Sequence, residues 1–387
     1  MPRQVLLRQV FQNHGHCIPP FRFGKVRDWL QLLPSDELVK AMDRSTVVLP
    51  KGGDGSYAPP GAGGAEAALG FPWGELSEQG VQDLRRAGSA LVPSGALGTS
   101  PGSCWDASQV FVRAANRRRS IVSAQALALG AMEALRSKDV PPGQSRGVLS
   151  PVEVLVQAGE DLLPVTSPGA PGFPGLGHGS TGGLEAELSR LAGIAEFPCL
   201  ADFLSKLGYE GLEASKEPDS WDPLCEALLS LDGMVSLSPP MAEKAAAVKR
   251  LNFLHWTAPL QATGTEAAYA IIGPLLRELF RACEATIEGE TKESDANFRG
   301  GSNPSMIIYS AEASSLAMLE GSFSLAMEAF EPEQTWPALA SSLEVQLLEV
   351  DGRHCLHFLR NGQAVMPGVV PYEEFSARLS LERPNQL

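Results

Sequence analysis

The residues best equipped for chemistry fall in three short stretches of the 387-residue chain: Asn13-His14-Gly15-His16-Cys17, Arg117-Arg118-Arg119 and the neighbourhood of Glu312. An imidazole is largely neutral near physiological pH, so His14 has the chemistry of a nucleophile, a base or a metal ligand. Taken alone, it reads as a histidine in a turn. His14-x-His16-Cys17, with Glu312 approaching as a fourth donor, carries the ligand types that zinc accepts. On an extended segment, however, alternate residues face the same way, which would put His14 and His16 on one face and Cys17 on the other. No metal or other cofactor is therefore expected. A run such as Arg117-Arg118-Arg119 is ordinarily a solvated basic turn, and Arg117 and Arg118 fit that description. Arg119 stands where a helix should begin, a position suited to an anion. His354 and His357 flank Cys355 on an expected strand and read as packing or surface residues, and His178 lies in a Gly/Pro tract that carries no signal.

These groups need elements to position them. The run QVLLRQVFQ from Gln4 to Gln12 reads as a strand that delivers His14 at its carboxyl end, where Gly15, Pro19 and Pro20 enforce irregular backbone. An amphipathic stretch near residues 26–42 precedes a Gly/Pro-rich run at 51–64, expected as a surface loop. Ser77 is placed to cap a helix running to about Val92. A strand is expected from Gln109 to Arg113 and a helix from Arg119 to Leu135, with apolar residues at spacings of three and four. After a second Gly/Pro tract at 164–183, helical patterns recur at 184–207, 224–231 and 241–255 and read as a helical insertion. Helix 266–287, strand 305–310, helix 312–329 and paired strands at 343–350 and 354–360 then restore the alternation of an α/β fold.

Several segments, taken in order, resemble the histidine acid phosphatases. Asn13-His14-Gly15-His16-Cys17-Ile18-Pro19 is similar to that family's R-H-G-x-R-x-P at the end of the first strand, with three of five fixed positions kept. Gly74-Glu75-Leu76-Ser77-Glu78-Gln79-Gly80 looks like G-x-L-T-x-x-G. The stretch from Val112 to Ala126 is similar to V-R-S-T-D-x-x-R-T-x-x-S-A-x-A, and Tyr309-Ser310-Ala311-Glu312-Ala313-Ser314-Ser315-Leu316 resembles Y-S-x-H-D-T-T-L. Trp336-Pro337, Ser342 and Pro371-Tyr372-Glu373-Glu374-Phe375 extend the likeness to the tail. The order of these segments carries more weight than the altered first motif.

The resemblance implies a phosphoglycerate mutase-like three-layer α/β sandwich, with a mainly parallel sheet and an inserted helical cap. Residues 1–145 and 261–387 would form the core and residues 146–260 the cap. It also implies phosphomonoester hydrolysis through a phosphohistidine. His14 matches the nucleophile and Arg119 the distal phosphate-binding arginine. Asn13 and Cys17 occupy the places of two further phosphate-binding arginines, Glu312 that of the second histidine, and Ala313 that of the proton donor. In a shifted register Glu312 aligns with the H-A-E of the inositol-polyphosphate branch and becomes a retained proton donor, at the expense of agreement at Tyr309, Ser310, Ser314 and Ser315. Two readings stay open: a weakened or inactive phosphatase, and a non-catalytic module that binds a phosphate-like ligand or a protein.

Bulk composition limits the partners. A formal charge of −14 repels nucleic acid and anionic membrane, so an anion site must be local. No apolar run reaches the roughly 18 to 20 residues a membrane span requires, and no export signal is seen, so a cytoplasmic protein is expected. The six scattered cysteines, with no CxxC pair, are expected as free thiols. A phosphomonoester or phosphate-like ligand is the expected partner, and oligomeric state is not readable.

Overall fold

The computed structural model describes residues 4–51, 71–92, 109–137, 150–157, 182–209, 221–289, 304–327 and 335–379. Most of the two Gly/Pro tracts, together with His178 and Cys104, lie outside the described residues.

The backbone of the fold is one sheet. Strands β1 (Gln4–Asn13), β2 (Thr46–Lys51), β3 (Val110–Ala114), β4 (Val152–Gln157) and β5 (Met306–Ala311) pair in parallel in the order β2-β4-β3-β5-β1. Beyond β1 the sheet turns antiparallel through β6 (Ser342–Val350), β7 (Arg353–Arg360) and β8 (Gln363–Ala364), with β9 (Val370–Pro371) also on β7. The expected α/β sandwich with a mainly parallel sheet is what the chain adopts. Residues 152–157, which the sequence assigned to the insertion, instead form β4 inside the sheet. Their alternation of Val with Glu and Leu was obscured by the Pro/Gly-rich flanks.

Helices cover both faces, as buried parallel strands demand. Along β1, Leu7 and Phe11 enter one apolar core and Val10 the other; along β5, Ile307, Tyr309 and Ala311 enter the first, Met306 and Ile308 the second. This is the two-residue period of a strand buried on both sides. Helices Asp36–Ser45, Glu78–Leu91 and Arg118–Ser137 contribute to one layer. Helices Thr265–Glu288 and Ala313–Ala326 lie in the other, where they join the inserted helices.

The insertion contains helices Gly182–Ala195, Phe197–Lys206, Asp222–Ser230 and Pro239–Thr263. The first two were expected as one helix. Glu196, at φ 43°, breaks them apart, and Pro198 starts the second. The amphipathic stretch near 26–42 is likewise two helices, Val26–Leu30 and Asp36–Ser45. Among the described residues no helix is long and apolar enough to cross a membrane.

Candidate functional site

Three adjacent parallel strands deliver the site. In the registers Asn13 beside Ala311 and Ala114 beside Ser310, the carboxyl ends of β1, β5 and β3 stop at the same edge of the sheet. His14, Glu312 and the turn leading to Arg119 therefore emerge together, at the end where open α/β sheets place their ligands.

The His14 loop is held by close packing against the start of helix Glu78–Leu91. A Cβ on Gly80 would stand 2.2 Å from the His16 carbonyl oxygen, and one on Gly15 would stand 2.6 Å from the Gly80 carbonyl oxygen. Only hydrogen at both positions permits this approach. Ser77 caps the helix as expected: its hydroxyl accepts from the Gly80 N–H at 3.1 Å and lies 2.7 Å from His16 Nδ1. His16 Nε2 meets the Ser230 carbonyl at 2.9 Å, so this imidazole ties the loop after β1 to helix Asp222–Ser230. Cys17 pairs with Leu76 in an isolated bridge.

His14 is 1 % exposed. Its Nδ1 lies 2.9 Å from the Gly15 carbonyl oxygen, which can only accept, so Nδ1 carries the proton and Nε2 a lone pair. Burial first, and the Arg119 charge second, lower its pKa below the ordinary value, which keeps the ring neutral. Nε2 stands 3.9 Å from Glu312 Oε2.

Arg119 and Glu312 form a buried fork. Arg119 Nε lies 3.2 and 2.9 Å from the two carboxylate oxygens, and Nη2 donates to Oε2 as well. The Ser120 hydroxyl donates to Glu312 Oε1 at 2.8 Å, and the Ser310 hydroxyl holds the Ser120 carbonyl at 2.7 Å. Glu312 is the N-cap residue of helix Ala313–Ala326, yet its side chain makes no capping bond there. Burial alone would raise its pKa, but the Arg119 guanidinium, aided by His14 and Arg117, holds the carboxyl well below the usual range. Glu312 is thus an ionised acceptor in this state. Arg119 Nη1 also faces Glu226 Oε2 at 3.5 Å.

Of the sequence-derived candidates, His14, Cys17, Arg119 and Glu312 come together. Cys17 is buried beside Arg119, its thiol pushed up to about 12 by burial. Asn13 is turned to other work: its amide nitrogen donates to the Ala338 carbonyl at 2.8 Å, while its buried Oδ1 has no partner among the described residues. Arg117, expected as a solvated turn residue, lines the cavity; Arg118 pairs with Glu75 at 2.5 Å. His354 and His357 are half-buried on β7, with Cys355 buried between them, as expected.

The alternation argument against Cys17 fails here. Past Asn13 the chain leaves regular strand geometry, His16 turns toward Ser77 and Ser230, and Cys17 shares the site with His14. Ligand atoms of His14, Cys17 and Glu226 all lie within 4.8 Å of one another. Glu226, on helix Asp222–Ser230, had no signal in the sequence because its neighbours are set by how the insertion docks; Ser120 was equally silent. A cavity of about 190 Å³ opens over the pair, bounded by Arg117, Asp222, Glu226, Trp256, Glu312 and Trp336. The Trp336 indole N–H is buried without a partner among the described residues, and Trp256 donates to Asp222 at 3.1 Å.

No protein-family model matches the chain, and comparison with curated proteins found no match. Solved structures do resemble it. The phytase from Citrobacter braakii superposes with a TM-score of 0.56 at 14 % identity, over 98 % of this chain and 97 % of that one. Hafnia alvei phytase in complex with myo-inositol hexakis sulphate gives 0.52 at 12 % identity, over 98 % of each chain. The fold is therefore histidine acid phosphatase-like along nearly the whole chain.

Proposed function

We propose that this chain is a divergent histidine acid phosphatase in which phosphomonoester hydrolysis is weak or lost, and whose pocket binds a phosphate-like ligand or a protein partner. The observation that carries this reading is the Glu312 carboxylate seated on Arg119. The resemblance gives Arg119 a phosphoryl group to hold, and a carboxylate from the chain itself now takes that fork. An ionised carboxylate beside the nucleophile position repels an incoming phosphate dianion, and it cannot protonate a leaving alkoxide. Asn13 and Cys17 supply no positive charge where the family has two arginines. Losing one transition-state donor commonly costs about 10²-fold to 10³-fold in rate, so several such losses leave little turnover.

The register in which Glu312 serves as proton donor requires the carboxyl to hold a proton, and the adjacent Arg119 opposes that. A cytoplasmic location belongs to the same proposal; the five described cysteines, all unpaired, support a reducing compartment.

Hydrolysis of p-nitrophenyl phosphate by the full chain, compared with His14→Ala from about pH 4 to about pH 8, tests the loss of activity. Equal rates are expected. Turnover that disappears in His14→Ala would restore the enzyme reading. For binding, phosphate should raise the melting temperature of the wild-type chain and that of Glu312→Ala by more, and Arg119→Ala should remove both rises.

A further inference from the structure

A second carboxylate reaches the Arg119 guanidinium from helix Asp222–Ser230. Glu312 is already neutralised by the Arg119 fork, yet Glu226 stands against the same guanidinium with its side chain only 15 % exposed. Beside it sit a buried thiol and an imidazole whose Nε2 carries an unused lone pair. Imidazole, thiol and carboxylate brought together in this way are a donor set that zinc accepts.

We propose that His14, Cys17 and Glu226 hold a zinc ion. The three ligand atoms come from the loop after β1 and from helix Asp222–Ser230, and all lie within 4.8 Å of one another. Tetrahedral ligands about 2.0 to 2.3 Å from zinc stand about 3.3 to 3.7 Å apart, so closure asks for about 1 Å of movement at the widest pair. The Gly15 carbonyl, by taking the Nδ1 proton of His14, fixes the tautomer that presents Nε2 outward. A backbone acceptor behind a ligating imidazole is the usual supporting arrangement in metal sites.

The donor set selects the metal. Thiolate and imidazole favour zinc over magnesium or calcium, which take oxygen ligands. On binding, the Cys17 Sγ–H bond breaks, its proton leaves to solvent, and the sulfur pair forms the Sγ–zinc bond. Three protein ligands leave a fourth position for water or a ligand from the cavity bounded by Trp256 and Trp336.

This inference stands apart from the reading of the protein as a weakened phosphatase, since it requires only that the three ligands converge. The test is cobalt(II) and zinc(II) titration of the full chain after chelator treatment. One metal per chain is expected, with a thiolate-to-cobalt charge-transfer band in the near ultraviolet. Cys17→Ser should abolish the band, Glu226→Gln should weaken affinity at least about tenfold, and Cys225→Ser should leave both unchanged. Should Cys17→Ser fail to fold by circular dichroism, X-ray absorption of the zinc-loaded wild-type chain decides: one sulfur with nitrogen and oxygen ligands is expected. Binding below one metal per chain, a band that survives Cys17→Ser, or a zinc shell without a single sulfur overturns the proposal.

Discussion

Arg119 and Glu312, 193 residues apart in sequence, close a two-point charge pair in which Glu312 Oε2 also sits 3.9 Å from His14 Nε2. The pair occupies the convergence of three strand ends, with Ser120 fixing the carboxylate from the side. Arg119 is thereby satisfied by a carboxylate of the chain itself, and the energetic consequences can be measured.

Replacing Glu312 with Ala leaves Arg119 buried with only the more distant Glu226 for compensation. Breaking a buried pair from one side destabilises by about 3 kcal/mol or more. Urea unfolding of Glu312→Ala should show a loss near that figure. Added phosphate should recover part of it, and should stabilise the wild-type chain by less.

Stability should fall in acid in two stages. Burial, and then Arg119, hold the folded His14 pKa below 6.5, so as pH drops the unfolded chain takes up the proton first. The neutral ring's contribution is thus present above 6.5 and lost progressively below it. Glu312, held below its ordinary 4.5, adds a second loss that begins under that value and deepens toward its own lower pKa. The melting temperature should decline from about pH 7 to about pH 5, with His16 and His255 sharing the slope because burial lowers their pKa values too. His14→Gln should flatten this first decline, and Glu312→Gln the second.

Two glycines should respond oppositely to alanine. At Gly80 the added methyl would collide with the His16 carbonyl at 2.2 Å, so Gly80→Ala should cost about 1 to 3 kcal/mol and displace the His14 loop. Gly193, on the exposed side of helix Gly182–Ala195, has open space around it. Gly193→Ala should stabilise by about 0.5 to 1 kcal/mol. Chemical denaturation of both variants checks the contrast.

Ser77 does double service as helix cap and as partner of His16 Nδ1. Ser77→Ala should therefore exceed the usual cap cost of about 1 kcal/mol, reaching about 2 kcal/mol with a buried imidazole nitrogen left unpaired. Ser77→Thr, which keeps the hydroxyl, should recover most of the loss. Equilibrium unfolding of the two variants separates these outcomes.

Local spacing made much of this molecule legible. Strands β1, β3 and β5 and helices Glu78–Leu91 and Arg118–Ser137 all lie within a few residues of where apolar periodicity and Ser77 place them. β2 and β4 escaped notice because each is a short apolar run next to Gly/Pro-rich chain, where periodicity has too few residues to register. The break at Glu196 was hidden too, since its left-handed backbone leaves no mark in the apolar pattern.

The site divides along the same line. The sequence by itself determined which chemical groups could be present: a histidine at the end of the first strand, an arginine at the start of a helix, a glutamate after the fifth strand. The resemblance implied two arginines and a histidine at the positions where the sequence has Asn13, Cys17 and Glu312. Only the tertiary structure decided which of these groups face one another. It set Glu312 on Arg119, turned Asn13 toward Ala338, sent His16 to Ser230, and brought Glu226 down beside His14 and Cys17. The reason is physical: local spacing governs backbone periodicity, whereas pairings across 107 and 193 residues follow from sheet register and the docking of the inserted helices.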